Sequence, residues 1–300
     1  MQGTIDGFSY GLVTPVVAYL MACLGGALGL RCTTRSLLVE NSWRPGWLAL
    51  GSAAIGSGIW TMHFVAMMGF AVEGVPVRYD PAITFASLGL AVVMVGIGIF
   101  IVGYRGATVM ALFTGGTITG LGVASMHYLG MAGMRLQGTL RYDTFTVSLS
   151  VLIAVVAATA ALWAAVQVRG FLWSLGASLV MGLAVTGMHY TGMAALDVHV
   201  HASGGGPSGA PAGELLAPMM IGPLAFLVLA GVVVIFDPTM AAGADRPRTG
   251  LGPRPRPALV RRPGIPAHGP GSDAYRGRPP RRRRSFVPAP PRGPRSRLGR

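Results

Sequence analysis

The chain contains no lysine, and its 300 residues include only two cysteines and ten carboxylates. Charged residues make up 11%, against roughly 25% in an ordinary globular chain. With 52% apolar residues and a mean hydropathy of +0.56, that shortage argues against a water-soluble protein. Two thiols exclude a cysteine-rich zinc or iron–sulfur site. Cys23 and Cys32 lie nine residues apart, roughly 13 Å along one helix and too far for a disulfide. There is also no convergent acid/base pair, phosphate-binding glycine loop, dinucleotide fingerprint or elbow-type nucleophile, so a non-enzymatic protein is expected.

The positive charge is unevenly placed. Residues 1–240 carry eight Arg and eight acidic residues, whereas residues 241–300 carry sixteen Arg and two acidic residues, which is the whole net charge of +14. Two domains are therefore expected: a body over 1–240 and an Arg/Pro-rich cytoplasmic tail over 241–300. The tail has thirteen Pro and nine Gly, with its densest basic run at 281–284. It has too little apolar surface to offset chain ordering, which predicts disorder. Anionic lipid is the nearest counter-charge for such a tail. Without a basic/aromatic stacking pattern, specific nucleic-acid recognition is not expected.

The body reads as a polytopic, all-α membrane bundle. A span needs about 20 mostly apolar residues, and seven stretches qualify: 9–30, 47–70, 83–103, 107–133, 144–166, 171–195 and 218–236. With the N-terminus outside, the inner connections hold Arg31, Arg35, Arg44, Arg105 and Arg169. The outer ones hold Arg78, Arg135 and Arg141 against Glu73, Asp80, Asp143, Asp197 and Glu214. Positive charge favours the cytoplasmic side, so N-out/C-in in the inner (cytoplasmic) membrane is expected. Residues 1–10 contain Asp6 and no basic residue, so the first span reads as an anchor and not a cleavable leader. The body's glycines suit close helix packing, as in Gly25-x-x-x-Gly29 and Gly116-x-x-x-Gly120.

The most informative feature is a repeat. Gly56 opens a segment containing Met62-His63-Phe64-Val65 and Met67. Gly120 opens another with Met126-His127-Tyr128-Leu129 and Met131, and Gly182 a third with Met188-His189-Tyr190-Thr191 and Met193. Glycine stands seven residues before each histidine, methionine just before it, an aromatic just after it, and methionine four residues later. The His-to-His spacings are 64 and 62 residues, about two spans per repeat, so each copy enters the membrane in the same direction. The three motifs then share one depth near the outer face. On a helix the histidine and the methionine four residues later share a face, the preceding methionine lies about 100° to the other side, and the aromatic falls on the opposite flank.

Thioether sulfur suits Cu(I), and imidazole suits copper, zinc, iron and nickel. Met62, His63, Met67, Met126, His127, Met131, Met188, His189 and Met193 are therefore candidate metal ligands, with copper first. A haem held by two histidines and a metal-free proton switch remain open. So does copper transport, although one ligand layer at the outer face supplies only the mouth of a path.

The three Met-His-aromatic segments resemble the motifs of the MHYT domain, a bacterial integral-membrane sensor domain, with similarity over about residues 9–236. The resemblance implies motif residues near the outer face. It also implies copper held by Met62, His63, Met126, His127, Met188 and His189, and sensing of oxygen, CO or NO. Only the third copy reads Met-His-Tyr-Thr in full; Phe64 replaces tyrosine in the first, so a phenol at every copy is not essential. Members often continue into cyclase, phosphodiesterase or DNA-binding output domains. Nothing after Phe236 has the length or apolar content of one, so a stand-alone sensor body signalling to a separate cytoplasmic output protein is expected.

Two smaller features complete the reading. Asp197-Val198-His199-Val200-His201 could form an accessory metal site but reads first as a solvated loop, followed by a Gly/Ser/Pro-rich linker over 202–213. Glu73, Asp80 and Asp143 read as solvated turn residues.

Overall fold

The computed structural model describes residues 5–6, 10–72, 75–167, 170–200 and 210–236. The tail, most of the linker, His201, Glu73 and Arg169 lie outside the described residues.

Seven helices follow the seven apolar runs: α1 (Val13–Ser36), α2 (Arg44–Met68), α3 (Pro81–Arg105), α4 (Val109–Ala132), α5 (Thr144–Gln167), α6 (Phe171–Ala194) and α7 (Ala212–Ile235). Each has 24 or 25 residues, about 36 Å of rise, enough to cross a hydrocarbon core of about 30 Å. The chain is a multi-pass membrane protein. Its outward faces are as apolar as its interior: Phe113, Val180 and Leu183 are 68%, 69% and 66% exposed. Such a surface is stable against lipid and unstable against water.

Local chemistry sets several helix ends. Asp80 Oδ1 accepts from the backbone N–H groups of Ala82 (3.0 Å) and Ile83 (3.2 Å), with Pro81 in the first helical turn of α3. These bonds, led by that from Ile83, together with the Arg135 guanidinium 3.3 Å away, hold the Asp80 carboxyl below its ordinary range. Thr108 caps α4 through the Ala111 N–H. Asp143 accepts from the N–H and hydroxyl of Thr146, which lowers its pKa likewise. Asp80 and Asp143, expected as solvated turn residues, are thus helix caps. Between α3 and α4 the chain reverses at Gly106 (φ 70°), and between α5 and α6 at Gly170 (φ 94°), backbone conformations that favour glycine.

Helices α1 to α6 pack in sequence, and α6 closes back onto α1, making a ring of six; α7 lies outside it against α2 and α1. The architecture is three two-helix repeats plus one, as expected. The repeat glycines make the seams. A Cβ on Gly56 would lie 2.8 Å from Val92 Cα of α3, Gly120 abuts Val155 of α5, and Gly182 abuts Cys23 of α1. Each motif helix therefore leans its glycine on the first helix of the next repeat, with α6 using α1 to complete the circle. Gly25 and Gly29 approach Gly58 and Gly51 of α2, and Gly116 packs on Thr159 of α5, as their spacing predicted. Cys23 and Cys32 are buried free thiols.

One end of the ring carries short strands: β1 (Ile5–Asp6), β2 (Ala71–Val72), β3 (Arg78–Tyr79), β4 (Met134–Arg135), β5 (Gly138–Tyr142), β6 (Leu196–Val200) and β7 (Ala210–Pro211). They pair as β1–β2, β4–β3–β7 and β5–β6, all antiparallel. The expectation of a solvated loop at 197–201 is corrected for its described part: His199 and Asp197 sit in β6, opposite Thr139 and Arg141. Alternation does the work there, because Leu196 and Val198 are buried while Asp197 is exposed.

Candidate metal centre

The histidines stand at one level on the three motif helices. His63, His127 and His189 each lie five residues before the last residue of α2, α4 and α6 (68 − 63, 132 − 127 and 194 − 189). That places them about 7 Å beneath the strand-bearing end. All three are 1% exposed. Their rings turn toward the axis of the six-helix ring, and the Nδ1 atoms meet there. The His63–His189 distance is 3.0 Å, and the His63–His127 and His127–His189 distances are 3.2 Å. Ring centroids are 5.0 Å apart in every pair, with interplanar angles of 76–90°. Among the described His, Cys, Asp and Glu residues, this is the group close enough to hold one ion.

These contacts cannot all be hydrogen bonds between neutral imidazoles. A neutral ring nitrogen is either an N–H donor or a lone-pair acceptor. Of three nitrogens that touch one another, two must be alike, so at least one pair opposes lone pair to lone pair or N–H to N–H. A cation receiving all three lone pairs removes that conflict. The circle through the three nitrogens has a radius of about 1.8 Å, within a typical metal–imidazole distance of about 2.0–2.1 Å, so His63, His127 and His189 would together hold one ion. Three protein ligands would leave the remaining coordination positions of such an ion open.

The far side of each ring explains the motif's small residue. A Cβ on Gly130 would lie 2.5 Å from His63 Nε2, and one on Gly192 would lie 2.5 Å from His127 Nε2. Each of these glycines stands three residues after a histidine, on the next motif helix round the ring. The same relation carried once more pairs His189 with Ala66. His63 Nε2 and His127 Nε2 have no hydrogen-bond partner among the described residues.

The aromatic residues flank the histidines. Phe64, Tyr128 and Tyr190 each pack edge-on against their own histidine, at 4.6, 4.8 and 5.0 Å between centroids. Their outer ends differ. Tyr128 Oη is 2.7 Å from Ser150 Oγ of α5. In the first copy, where Phe64 has no hydroxyl, Trp60 one turn earlier donates its indole N–H to Ser87 Oγ of α3 (3.0 Å) and to Thr84 O (3.2 Å). Ser87 and Ser150 are 63 residues apart, the repeat period, so the indole substitutes for the phenol. Sequence reasoning overlooked Trp60; the aligned serines were the available signal.

Met62, Met67, Met126, Met131 and Met188 are at most 1% exposed, and Met193 is partly buried, all within the main apolar core. The imidazoles are what the fold brings onto one point. One turn beneath them lie Ile59, Val123 and Val185, each four residues before a histidine and each buried, a branched aliphatic floor.

Comparison with known proteins agrees with this repeat. The family model for MHYT, described as a bacterial signalling protein N-terminal repeat, matches residues 56–115 and 120–178. The chain carries the MHYT repeat. It is 35% identical over 240 residues to the bifunctional diguanylate cyclase/cyclic di-GMP phosphodiesterase MucR of Pseudomonas aeruginosa, an alignment covering 78% of this chain and 35% of that protein. It is 36% identical over 223 residues to the cyclic di-GMP phosphodiesterase NbdA of the same organism, covering 70% and 27%. To the signaling protein YkoW of Bacillus subtilis it is 30% identical over 198 residues, covering 64% and 24%. The chain thus matches about a third or less of the length of these MHYT relatives. No solved structure matches it. A membrane-embedded signalling domain is the function class that the family match and the seven apolar helices support.

Proposed function

We propose that this MHYT domain is a sensor of the bacterial cytoplasmic membrane that holds a single copper ion on His63, His127 and His189 and responds to oxygen, CO, NO or redox state. The carrying observation is the mutual approach of three buried Nδ1 atoms, which a cation satisfies and three neutral imidazoles alone cannot. Copper is favoured by charge and softness. The ligand set brings no carboxylate or thiolate, so the ion's charge would go uncompensated in an apolar core. The cost of burying an ion rises with the square of its charge, which favours monovalent Cu(I). Imidazole suits copper, and Met62, Met67, Met126, Met131, Met188 and Met193 would supply a polarisable surround from which a thioether could join. The open positions would take the gas.

A response follows only if ligand or oxidation state alters the relative stability of two helix arrangements. The ion would join three helices from three repeats, so a change in its coordination bears on all three at once. The change would pass along α2, α4 and α6 to a cytoplasmic output partner, with the Arg-rich tail held near anionic lipid. In this reading the chain itself catalyses nothing.

Purified in mild detergent from copper-replete cells, the protein should carry about one copper per chain. The His63→Ala/His127→Ala/His189→Ala variant, folded by circular dichroism, should carry less than a tenth of that. Copper-free, folded wild-type protein would overturn the assignment. Retention of copper by the triple variant would move the site elsewhere.

A further inference from the structure

Inside the ring, on the side of the histidines away from the strands, the helices enclose a cavity of about 40 Å³. Ile59, Val123 and Val185 form its boundary toward the imidazoles, and Ile55, Thr119 and Met181 lie one turn further in. These six residues stand four and eight positions before the three histidines, so the cavity sits on the axis that the nitrogens share. On the α5 side its wall is built mainly of alanines, with Leu162. Met188, the residue preceding His189, lines it as well.

The lining chemistry selects what can reside there. A buried water needs two to four polar partners, and the lining offers one hydroxyl. That hydroxyl, Thr119 Oγ1, is buried and without a hydrogen-bond partner among the described residues. Cavities of this character stay dry and take up apolar guests such as xenon. At about 40 Å³ the space admits a guest of two or three heavy atoms. It is too small for an acyl chain or a planar cofactor.

A path from the lipid side is built into the same wall. Along the α5–α6 seam an outer groove of about 450 Å³ is lined by Ala157, Ala160, Ala161 and Ala164 of α5 and by Gly176, Ala177 and Val180 of α6. Ala157, Ala161 and Met181 line the groove and the inner cavity alike. The partition is thus two methyl groups and one unbranched, flexible thioether chain. On the α5 side the run of small residues is long, with alanine at 157, 158, 160, 161, 164 and 165.

We infer that this inner cavity is a binding site for a gas-sized apolar molecule, entered from the bilayer through the α5–α6 seam past Met181. It lies one helical turn from the nitrogens, so it would hold such a molecule in reserve beside the metal centre. The inference deepens the sensor reading by naming where the gas waits and how it arrives. The cavity itself does not depend on metal.

Xenon is the probe, read by 129Xe exchange NMR on the full chain in nanodiscs. Wild-type protein should bind about one xenon. Ala158→Leu, which fills the cavity, should abolish binding, and Leu162→Ala, which enlarges it, should raise occupancy at least two-fold. The opposed directions separate filling from misfolding. Ala160→Trp, in the groove but not on the cavity wall, should slow exchange several-fold at unchanged occupancy. No xenon in wild-type protein, or equal binding in all three cavity forms, overturns the site; unchanged exchange in Ala160→Trp overturns the lateral entrance. The histidine triple variant should bind xenon normally. Protein that binds copper but no xenon refutes the cavity alone, and protein that binds xenon but no copper refutes the metal reading alone.

Discussion

At the residue scale, what distinguishes the three histidines is the room made for them. The His63 and His127 imidazoles lie where a Cβ on Gly130 or Gly192 of the neighbouring motif helix would crowd them. Gly192→Ala would set a methyl 2.5 Å from His127 Nε2 and force that ring out of register with the other two. Copper affinity should fall at least ten-fold while the fold survives, checked by competition with a Cu(I) chelator. The converse change, Ala66→Gly, should leave affinity within about two-fold. Trp60 makes a separate case. Trp60→Phe removes the indole donor to Ser87 Oγ, while Thr84 O keeps the Ser87 hydroxyl, and a lost buried hydrogen bond of this kind costs about 1–3 kcal/mol; the melting temperature in detergent should drop, with copper content unchanged. The histidines and their common depth were legible in the sequence, because a repeat of even span number fixes both. The role of the following glycines was not. A glycine in a glycine-rich membrane helix carries no mark of what it faces until the ring is closed. The meeting of the nitrogens likewise depends on how three helices lean together, which angles on a single helix do not give.

At the scale of elements, the seams decide stability, and they do so through backbone contact. Gly56 and Gly89 test this directly. A Cβ on Gly56 meets the backbone of Val92 at 2.8 Å, whereas one on Gly89 meets nothing within 4 Å. Gly56→Leu should therefore lower the melting temperature strongly or prevent purification. Gly89→Leu should be neutral or slightly stabilising, since leucine is the better helix former by up to about 1 kcal/mol. Helix number, order and approximate ends followed from apolar run length alone. The short strands did not: two-residue pairings such as Arg78–Arg135 are specified by where the helices place the connections. Even β5 and β6, at five residues each, alternate too briefly to stand out from a loop in the sequence. His199 was misplaced for that reason.

At the scale of the molecule, the arrangement has two chemically different ends. The strand-bearing end presents Arg135 paired with Asp80 and Asp143 at a helix start. The opposite end gathers Arg31, Arg35, Arg44 and Arg105. There Arg44 donates to the Gly103 carbonyl and lies 5.0 Å over Tyr104, and Arg35 lies 5.6 Å over Trp47. Positive charge is retained on the cytoplasmic side, so the strand-bearing end should face outward. A cysteine at Thr139 should react with a membrane-impermeant maleimide in intact cells, and one at Ala107 should not, the two native thiols being buried. The reverse labelling pattern would invert the orientation.

The contact of α6 with α1 has a further consequence. A closed circle has no first member. The joins between repeats fall at the strand-bearing end, as does the approach to α7, which rests on α2. A gene rearranged to begin with α3 and run through α6, α1 and α2 to α7 would need to cross the bilayer no differently, and would encode the same circle with the same three nitrogens at its centre.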